Sequence, residues 1–390
     1  MIKLHNHQLR VLSEMHKYQK GQVIVPTGGG KTMCMITDAK CVFERERKTI
    51  VVVAPRILLA QQLSSEFLDH LHTPVKVLHV HSGETDHYST TNKKCIFDWV
   101  VSNWKHNKII FTTYHSLHKI QKSGIPVNTI YFDEAHNSVQ RHFHPATRFY
   151  SSLGGIRCYF FTATPKYSGS DEDPGMNNEY VYGKVLEQVP APELVDNNII
   201  LPPKVIVKKL EMIKGRKPTP EDDADNILAT IDDQNVSKIL ICARRTTQIT
   251  RLVSDSKLTT ELYARGYNWM YITSRTGAVI NGIKVSRNQF FDTLRTWGKE
   301  DKRKFIIMHH SILSEGISVP GLEAALFLRN MDYITISQTI GRVIRKGNEQ
   351  KQFGIVCIPV YDRVGISTAK SVNAVVDTVF NKGEPAISYN

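Results

Sequence analysis

Short runs of consecutive apolar residues recur along the chain, each closed by a polar or glycine-rich turn and followed by a stretch with helical spacing. Gln22-Val23-Ile24-Val25 runs through Pro26-Thr27-Gly28-Gly29-Gly30-Lys31-Thr32 into Met33-Cys34-Met35-Ile36-Thr37-Asp38-Ala39. Thr49-Ile50-Val51-Val52-Val53-Ala54 ends in Pro55-Arg56 and leads into Ile57-Leu58-Leu59-Ala60-Gln61-Gln62-Leu63. Further strands are expected at 75–83 (with a turn at Gly83), 108–114, 128–132 and 157–164. Uninterrupted apolar strands of this kind belong to parallel sheets covered by helices on both faces. The first twenty residues read as a helix with apolar positions Leu4, Leu9, Leu12 and Met15.

The alternation returns later, with expected strands at 236–244, 269–273, 303–309, 324–328 and 354–360. Between the two halves, 188–203 holds four prolines and few periodic apolar residues, the composition of a connection rather than of an element. Polar segments with glycine or proline at 168–178 and 214–223 read as loops. The pattern predicts an α/β chain with a first domain over 1–186, a linker over 187–202, a second domain over 203–365 and a tail over 366–390 that carries no readable motif.

A chain of 390 residues is long for one hydrophobic core. The formal net charge of +13 and a pI near 9.3 favour a polyanionic partner, nucleic acid foremost; a solvated basic surface gives the same balance. The six cysteines (Cys34, Cys41, Cys95, Cys158, Cys242, Cys357) form no C-x-x-C pair, and several lie inside apolar runs. They read as reduced core residues. The sixteen histidines lack His-Glu-x-x-His spacing, so no zinc framework is expected. No apolar run is long enough to span a bilayer and the first residues do not resemble a signal peptide, which leads us to expect a cytoplasmic protein with no membrane partner.

The chemistry concentrates at the ends of the expected strands. Strand, glycine-rich loop and helix around Pro26, Thr27, Gly28, Gly29, Gly30, Lys31 and Thr32 is the context of a phosphate-binding loop. Glycines let successive N–H groups curl around an anion, and the new helix adds its positive end. Lys31 supplies a mobile charge for the outer phosphates and the Thr32 hydroxyl can ligate Mg²⁺. Val25 stands where the strict pattern has a glycine. Downstream, Thr129-Ile130-Tyr131-Phe132 delivers Asp133 and Glu134 side by side. In a nucleotide-hydrolysing site the first carboxylate holds Mg²⁺ and the second orients and deprotonates the attacking water.

Other candidates are less specific taken singly. Gln8 can donate and accept at once, which suits an adenine edge and equally suits a helix surface. Arg56 falls at a strand's carboxyl end, where open α/β sheets bind ligands. Thr112 and Thr113 offer hydroxyls for phosphate oxygens. Thr162-Ala163-Thr164 closes a strand with small hydroxyl residues that could couple the phosphate site to the sheet's rim. Arg244 and Arg245 end a strand of the second half. In Ser337-Gln338-Thr339-Ile340-Gly341-Arg342-Val343-Ile344-Arg345 the two arginines stand three apart, so both guanidiniums are expected on one helix face. Such a pair suits the charge of a transferring phosphoryl group, and suits a solvated basic helix as well.

In their order, the phosphate loop, Asp133-Glu134-Ala135-His136, Thr162-Ala163-Thr164 and Gln338-x-x-Gly341-Arg342-x-x-Arg345 resemble the superfamily 2 helicases of DEAH-box type over residues 8–360. The resemblance is greatest to compact phage DNA helicases and to the motors of restriction-enzyme translocases. It implies two tandem RecA-like domains with ATP bound between them. Lys31, Thr32, Asp133 and Glu134 would hold phosphates and Mg²⁺, with His136 and Gln338 in the catalytic set and Arg342 and Arg345 as arginine fingers. Gln8 would read adenine. Arg56, Gly83, Thr112, Thr113, Arg244 and His310 would contact the nucleic-acid backbone, and Thr162 and Thr164 would couple the two activities. Three positions depart from the family. Gln8 lies too near the start for the aromatic residue often found upstream of it. Gly316-Ile317-Ser318 carries Ser318 where a carboxylate usually helps hold the nucleotide. His310 replaces a strand-contacting threonine.

The implied activity is ATP-driven movement along nucleic acid, DNA favoured over RNA, on a single strand or a branched duplex, with three-prime to five-prime polarity as the superfamily's commoner habit on DNA. Two other classes fit the same residues. One is a nucleic-acid clamp or remodelling subunit that switches affinity with ATP but separates no strands. The other is a phosphate-loop ATPase acting on protein, against which the basic balance speaks.

Overall fold

The computed structural model describes residues 3–45, 48–83, 85–170, 172–210, 219–243, 245–273, 276–310, 319, 321–328, 331–346, 351–361 and 366–389. The chain divides into two compact units, residues 1–190 with 387–390, and residues 191–386.

The first unit is built on strands β1 (Lys20–Ile24), β2 (Thr49–Ala54), β3 (Val75–Val80), β4 (Asn107–Thr113), β5 (Thr129–Phe132), β6 (Arg157–Thr162), a two-residue β7 (Lys166–Tyr167) and β8 (Val185–Gln188). Seven of them form one sheet in the order β3-β4-β2-β5-β6-β1-β8, and every neighbouring pair is parallel. β2 is buried at all of its positions, which is why its sequence is an unbroken apolar run. Val51, Val53, Ile110, Ile130, Phe132 and Phe160 make the centre of one core. β8 closes against β1 at Gly21, where a Cβ would lie 2.4 Å from Leu186 Cγ. Helices α1 (Asn6–Lys17), α2 (Lys31–Arg45) and α3 (Ile57–Leu71) flank the sheet. Because the strands are parallel, their carboxyl ends share one edge, and that edge presents the segments after β1, β2, β4, β5 and β6 together.

The second unit holds β9 (Pro203–Leu210), β10 (Lys238–Cys242), β11 (Asn268–Thr273), β12 (Gly277–Ile280), β13 (Ile283–Val285), β14 (Phe305–His309), β15 (Ala324–Phe327) and β16 (Gly354–Tyr361). Their order is β13-β12-β11-β14-β10-β15-β16-β9. The pairs from β11 to β9 are parallel. β12 and β13 form an antiparallel hairpin on the β11 edge. Asn281 (φ 47°) and Gly282 (φ 83°) make its turn, the left-handed pair that a two-residue hairpin demands. Ile239, Ile241, Ile306, Met308 and Leu326 pack with Ile227, Ile231, Ile249 and Leu252 of the covering helices. Both units are mostly parallel sheets flanked by helices, the RecA-like architecture expected.

Several segments differ in detail from the expectation. Residues 187–188 complete β8, and Ala191–Asp196 is helical. The stretch from 366 is a helix (Ile366–Val375) that continues as a π-helical turn (Val376–Asn381), and the chain then adds a short strand, β17 (Ser388–Tyr389), to β7. In α1 the buried face is His7, Gln8, Val11, Leu12 and Met15, whereas Leu9 is half exposed. All six cysteines are free thiols. Among the described residues no helix is long and apolar enough to cross a membrane.

Candidate phosphate-binding site

The loop between β1 and α2 is shaped by its glycines: Gly28 and Gly30 have φ of +90° and +80°, a region that L side chains enter only with strain. The Gly29 N–H donates to the Pro26 carbonyl at 3.0 Å and closes the turn. The N–H groups of Gly28, Gly30, Lys31 and Thr32 donate to no backbone carbonyl among the described residues. With the positive end of α2 they form an anion-binding concavity. Lys31 Nζ donates to the Val25 carbonyl at 3.2 Å, so its ammonium lies across the loop. α1 packs on the loop's outer side. Gln8 accepts the His5 N–H on Oε1 (2.9 Å) and donates from Nε2 to the Gly30 carbonyl (3.2 Å), while His7 Nε2 is 2.8 Å from the Gly29 carbonyl. Both ends of the Gln8 amide are thus engaged within the protein, and Gln8 is buried rather than on the helix surface.

β5 hands the chain to Asp133, whose N–H donates to the Val53 carbonyl and whose own carbonyl accepts the Tyr114 hydroxyl at 2.8 Å. Glu134 then takes the left-handed conformation (φ 46°) and opens the short 3₁₀ helix Ala135–Val139. Both carboxylates are buried. Burial, followed by the charge of Glu134, pushes the Asp133 carboxyl up to about 7, and Lys31 pulls it back down. Glu134 Oε2 has no hydrogen-bond partner; His136 Nδ1 lies 3.6 Å from it. Two buried, adjacent carboxylates with an orphaned oxygen, in the field of Lys31, are a donor set that a divalent cation would balance.

His136 joins this pair to the end of β6. Asn137 Nδ2 donates to the Glu134 carbonyl, which identifies it as the amide nitrogen, and also contacts His136 Nε2 at 3.2 Å. Nε2 is therefore an acceptor and Nδ1 carries the proton. That proton faces Thr162 Oγ1 at 3.0 Å and Thr164 Oγ1 at 3.3 Å. Thr162 Oγ1 also accepts the Thr164 N–H at 3.0 Å. Beneath the loop, Asp38 of α2 is fully buried, with Arg157 Nη2 at 2.7 Å from Oδ1 and the Tyr131 hydroxyl at 2.6 Å from Oδ2. This network ties α2 to β5 and β6, the strands that deliver Asp133 and Thr162. Sequence reasoning missed Asp38, Tyr114 and His7. A carboxylate among the buried Cys34, Met35, Ile36 and Ala39 of α2 was the available signal for Asp38; the other two carry none.

The remaining candidates fall elsewhere on the two sheets. Arg56 begins α3 and is partly exposed. Gly83 fits tightly against α3, where a Cβ would lie 2.4 Å from Ile57 Cγ2, and its N–H donates to His81 Nδ1. Thr112 corrects the expectation of an outward hydroxyl: it is fully buried and donates to the Val80 carbonyl at 2.8 Å, bracing β4 against β3. Thr113 is buried too. In the second unit His310 is exposed at the end of β14, with Nδ1 3.3 Å from the Ala243 carbonyl. Arg244, Gly316 and Ser318 lie outside the described residues.

The shared helix face for the two arginines is not formed. Gln338 and Arg342 lie on the helix Tyr333–Val343 and are buried, but the helix ends there and Arg345 falls beyond it, in a β-bridge with Ile200. The Ile344 carbonyl accepts the Leu201 N–H at 2.7 Å, and Lys351 Nζ bonds the Val343 and Arg345 carbonyls. These outside donors satisfy the last carbonyls and stop the helix. Burial pushes the Cys242 thiol up and the His309 imidazole down, and the nearby charge of Arg342 opposes the first shift and adds to the second.

Comparison with known proteins bears on the fold. Residues 1–167 match the family model described as type III restriction enzyme, res subunit. No curated protein matches the chain in sequence. Among solved structures, the type ISP restriction-modification enzyme LlaBIII bound to DNA aligns with a TM-score of 0.73 and 17% identity over 100% of this chain and 31% of that one. The type ISP enzyme LlaGI, a nuclease-deletion mutant with a DNA substrate mimic, aligns at 0.68 and 19% identity over 99% of this chain and 30% of that one. The chain thus spans less than a third of the length of either enzyme. S. cerevisiae Dbp5 bound to RNA and ADP BeF3 aligns at 0.63 and 16% identity over 100% of this chain and 90% of that one. The res-subunit model thus covers part of the first unit, and the solved structures share the fold of this chain at 16–19% identity.

Proposed function

We propose that this protein is an ATP-driven motor that moves along nucleic acid, DNA foremost, and separates or remodels strands as it goes. The observation that carries the reading is the convergence in one unit of the loop with its unpaired N–H groups, Lys31 within the field of Asp133, and His136 linking Glu134 to Thr162 and Thr164. The res-subunit match and the DNA-bound type ISP structures support DNA; the RNA-bound Dbp5 structure keeps RNA as the second reading.

In this reading the loop amides and Lys31 hold the β- and γ-phosphates. Thr32 and Asp133 would hold Mg²⁺, which when bound neutralises phosphate charge. Glu134 orients the attacking water and takes its proton, and its unpaired Oε2 is the atom for that task. Gln338, Arg342 and Arg345 are the second unit's proposed members of the catalytic set. Arg56, Gly83 and His310 are proposed contacts to the strand's phosphates, with Thr162 and Thr164 transmitting between the two activities.

The test compares ATP turnover with single-stranded DNA, duplex DNA, branched DNA and RNA, with strand separation followed in parallel. Stimulation by DNA together with displacement is expected. ATP turnover without displacement on any substrate identifies a clamp instead, and turnover indifferent to all four nucleic acids rejects the motor reading.

A further inference from the structure

α1 places two side chains on successive carbonyls of the phosphate loop. His7 Nε2 lies 2.8 Å from the Gly29 carbonyl and Gln8 Nε2 donates to the Gly30 carbonyl at 3.2 Å. A carbonyl only accepts, so His7 carries a proton on Nε2. Across a planar trans peptide the C=O and the following N–H point in opposite directions. Fixing the Gly29 and Gly30 carbonyls therefore fixes the N–H groups of Gly30 and Lys31, two of the donors that line the concavity. Consecutive glycine peptides are the freest in a chain; α2 already holds the Gly30 carbonyl through the Met33 N–H at 3.1 Å, whereas the Gly29 carbonyl accepts no backbone N–H among the described residues, so its ordering falls to His7. His7 is 2% exposed, and its ring stacks on that of His5 with centroids 5.8 Å apart. The imidazole is thus held at the carbonyl by packing as well as by its hydrogen bond.

We propose that His7 is a positioning residue that preorganises the phosphate loop and, with Gln8, forms a two-point latch setting affinity for the nucleotide's phosphates. The inference rests on the phosphate-site reading above. The latch acts on the ground state and the transition state alike, because the loop holds phosphates in both. Its loss therefore raises KM and leaves kcat in place.

The experiment measures binding of a fluorescent ATP analogue, ATP KM and kcat, and thermal melting for His7→Leu and His7→Gln beside the wild type. His7→Leu is expected to weaken binding and raise KM by ~5–10-fold, the worth of one buried hydrogen bond, with kcat within about twofold. His7→Gln, which keeps a donor, is expected to recover most of the loss. A side chain that only packs would lower the melting temperature and the active fraction while KM stayed put. Wild-type binding by His7→Leu, or a His7→Gln as weak as His7→Leu, overturns the latch. Should His7→Leu fail to fold, nitrogen NMR of the wild-type imidazole decides: protonated Nε2 supports the latch, and a proton on Nδ1 alone overturns it. A wild-type protein that binds no ATP overturns the phosphate site itself, an outcome distinct from a site that binds and ignores His7.

Discussion

His136 Nδ1 donates to Thr162 Oγ1 across 3.0 Å, so the segment after β5 and the end of β6 are joined by one proton whose position the Asn137 amide fixes. Thr162 is fully buried and its oxygen also holds the Thr164 N–H. Thr162→Val keeps the shape but strands the buried Thr164 N–H and leaves His136 Nδ1 only the longer contact to Thr164 Oγ1, a loss of ~1–3 kcal/mol of stability for the group left unmade. We expect Thr162→Val to reduce the nucleic-acid-stimulated ATPase more than the unstimulated rate. Equal loss in both would show that the hydroxyl serves only the fold.

Glu134 is the group whose removal separates binding from chemistry. Glu134→Gln retains the loop, Lys31 and Asp133, and is expected to bind ATP while turnover falls by ~10²–10⁴-fold. Equilibrium nucleotide binding and single-turnover hydrolysis on the same preparation check this. Loss of binding would assign Glu134 to holding the nucleotide instead.

Asp133 gives the protein a pH dependence of stability with a definite sign. Its carboxyl is raised from the ordinary 3.8 to about 7. Between those values the folded state holds a proton that the unfolded chain has released, so stability falls as pH rises through the window and levels off above it. Asp133→Asn removes that loss. In thermal melts without divalent cation, Asp133→Asn should match the wild type near pH 4 and exceed it near pH 8; a gap that narrows with rising pH would contradict the assignment.

The Asp38–Arg157 pair is a matter of stability before it is one of function. Asp38 is fully buried and meets both the Arg157 guanidinium and the Tyr131 hydroxyl. Asp38→Ala leaves a half-buried cation without its partner and is expected to cost ~3–5 kcal/mol. Denaturant titration measures it, and a change below about 1 kcal/mol, the range of an exposed ion pair, would contradict the buried-pair account.

What could be read from the sequence follows from how local each signal is. Strand, glycine loop and helix around Lys31 are adjacent in the chain, and the unbroken apolar runs of β2, β4 and β6 announce a sheet covered on both faces. The hairpin of β12 and β13 has a local signal too, since Asn281-Gly282 between apolar residues is a turn pair. The end of the helix at Val343 had no local signal. It is set by Leu201, from a distant part of the chain, and by Lys351, eight residues beyond Val343, and a three-residue spacing cannot anticipate that. Thr112 and Gln8 were read from side-chain chemistry alone. Their hydroxyl and amide are engaged by Val80 and Gly30, which only the folded chain brings near.

The most direct test of the account is ATP turnover by the wild type and by Lys31→Ala, each with and without single-stranded DNA. The expected result is a wild-type rate that rises with DNA and a Lys31→Ala variant that stays near background under both conditions. A Lys31→Ala variant that turns over at the wild-type rate, or a wild type that ignores the strand, would contradict it.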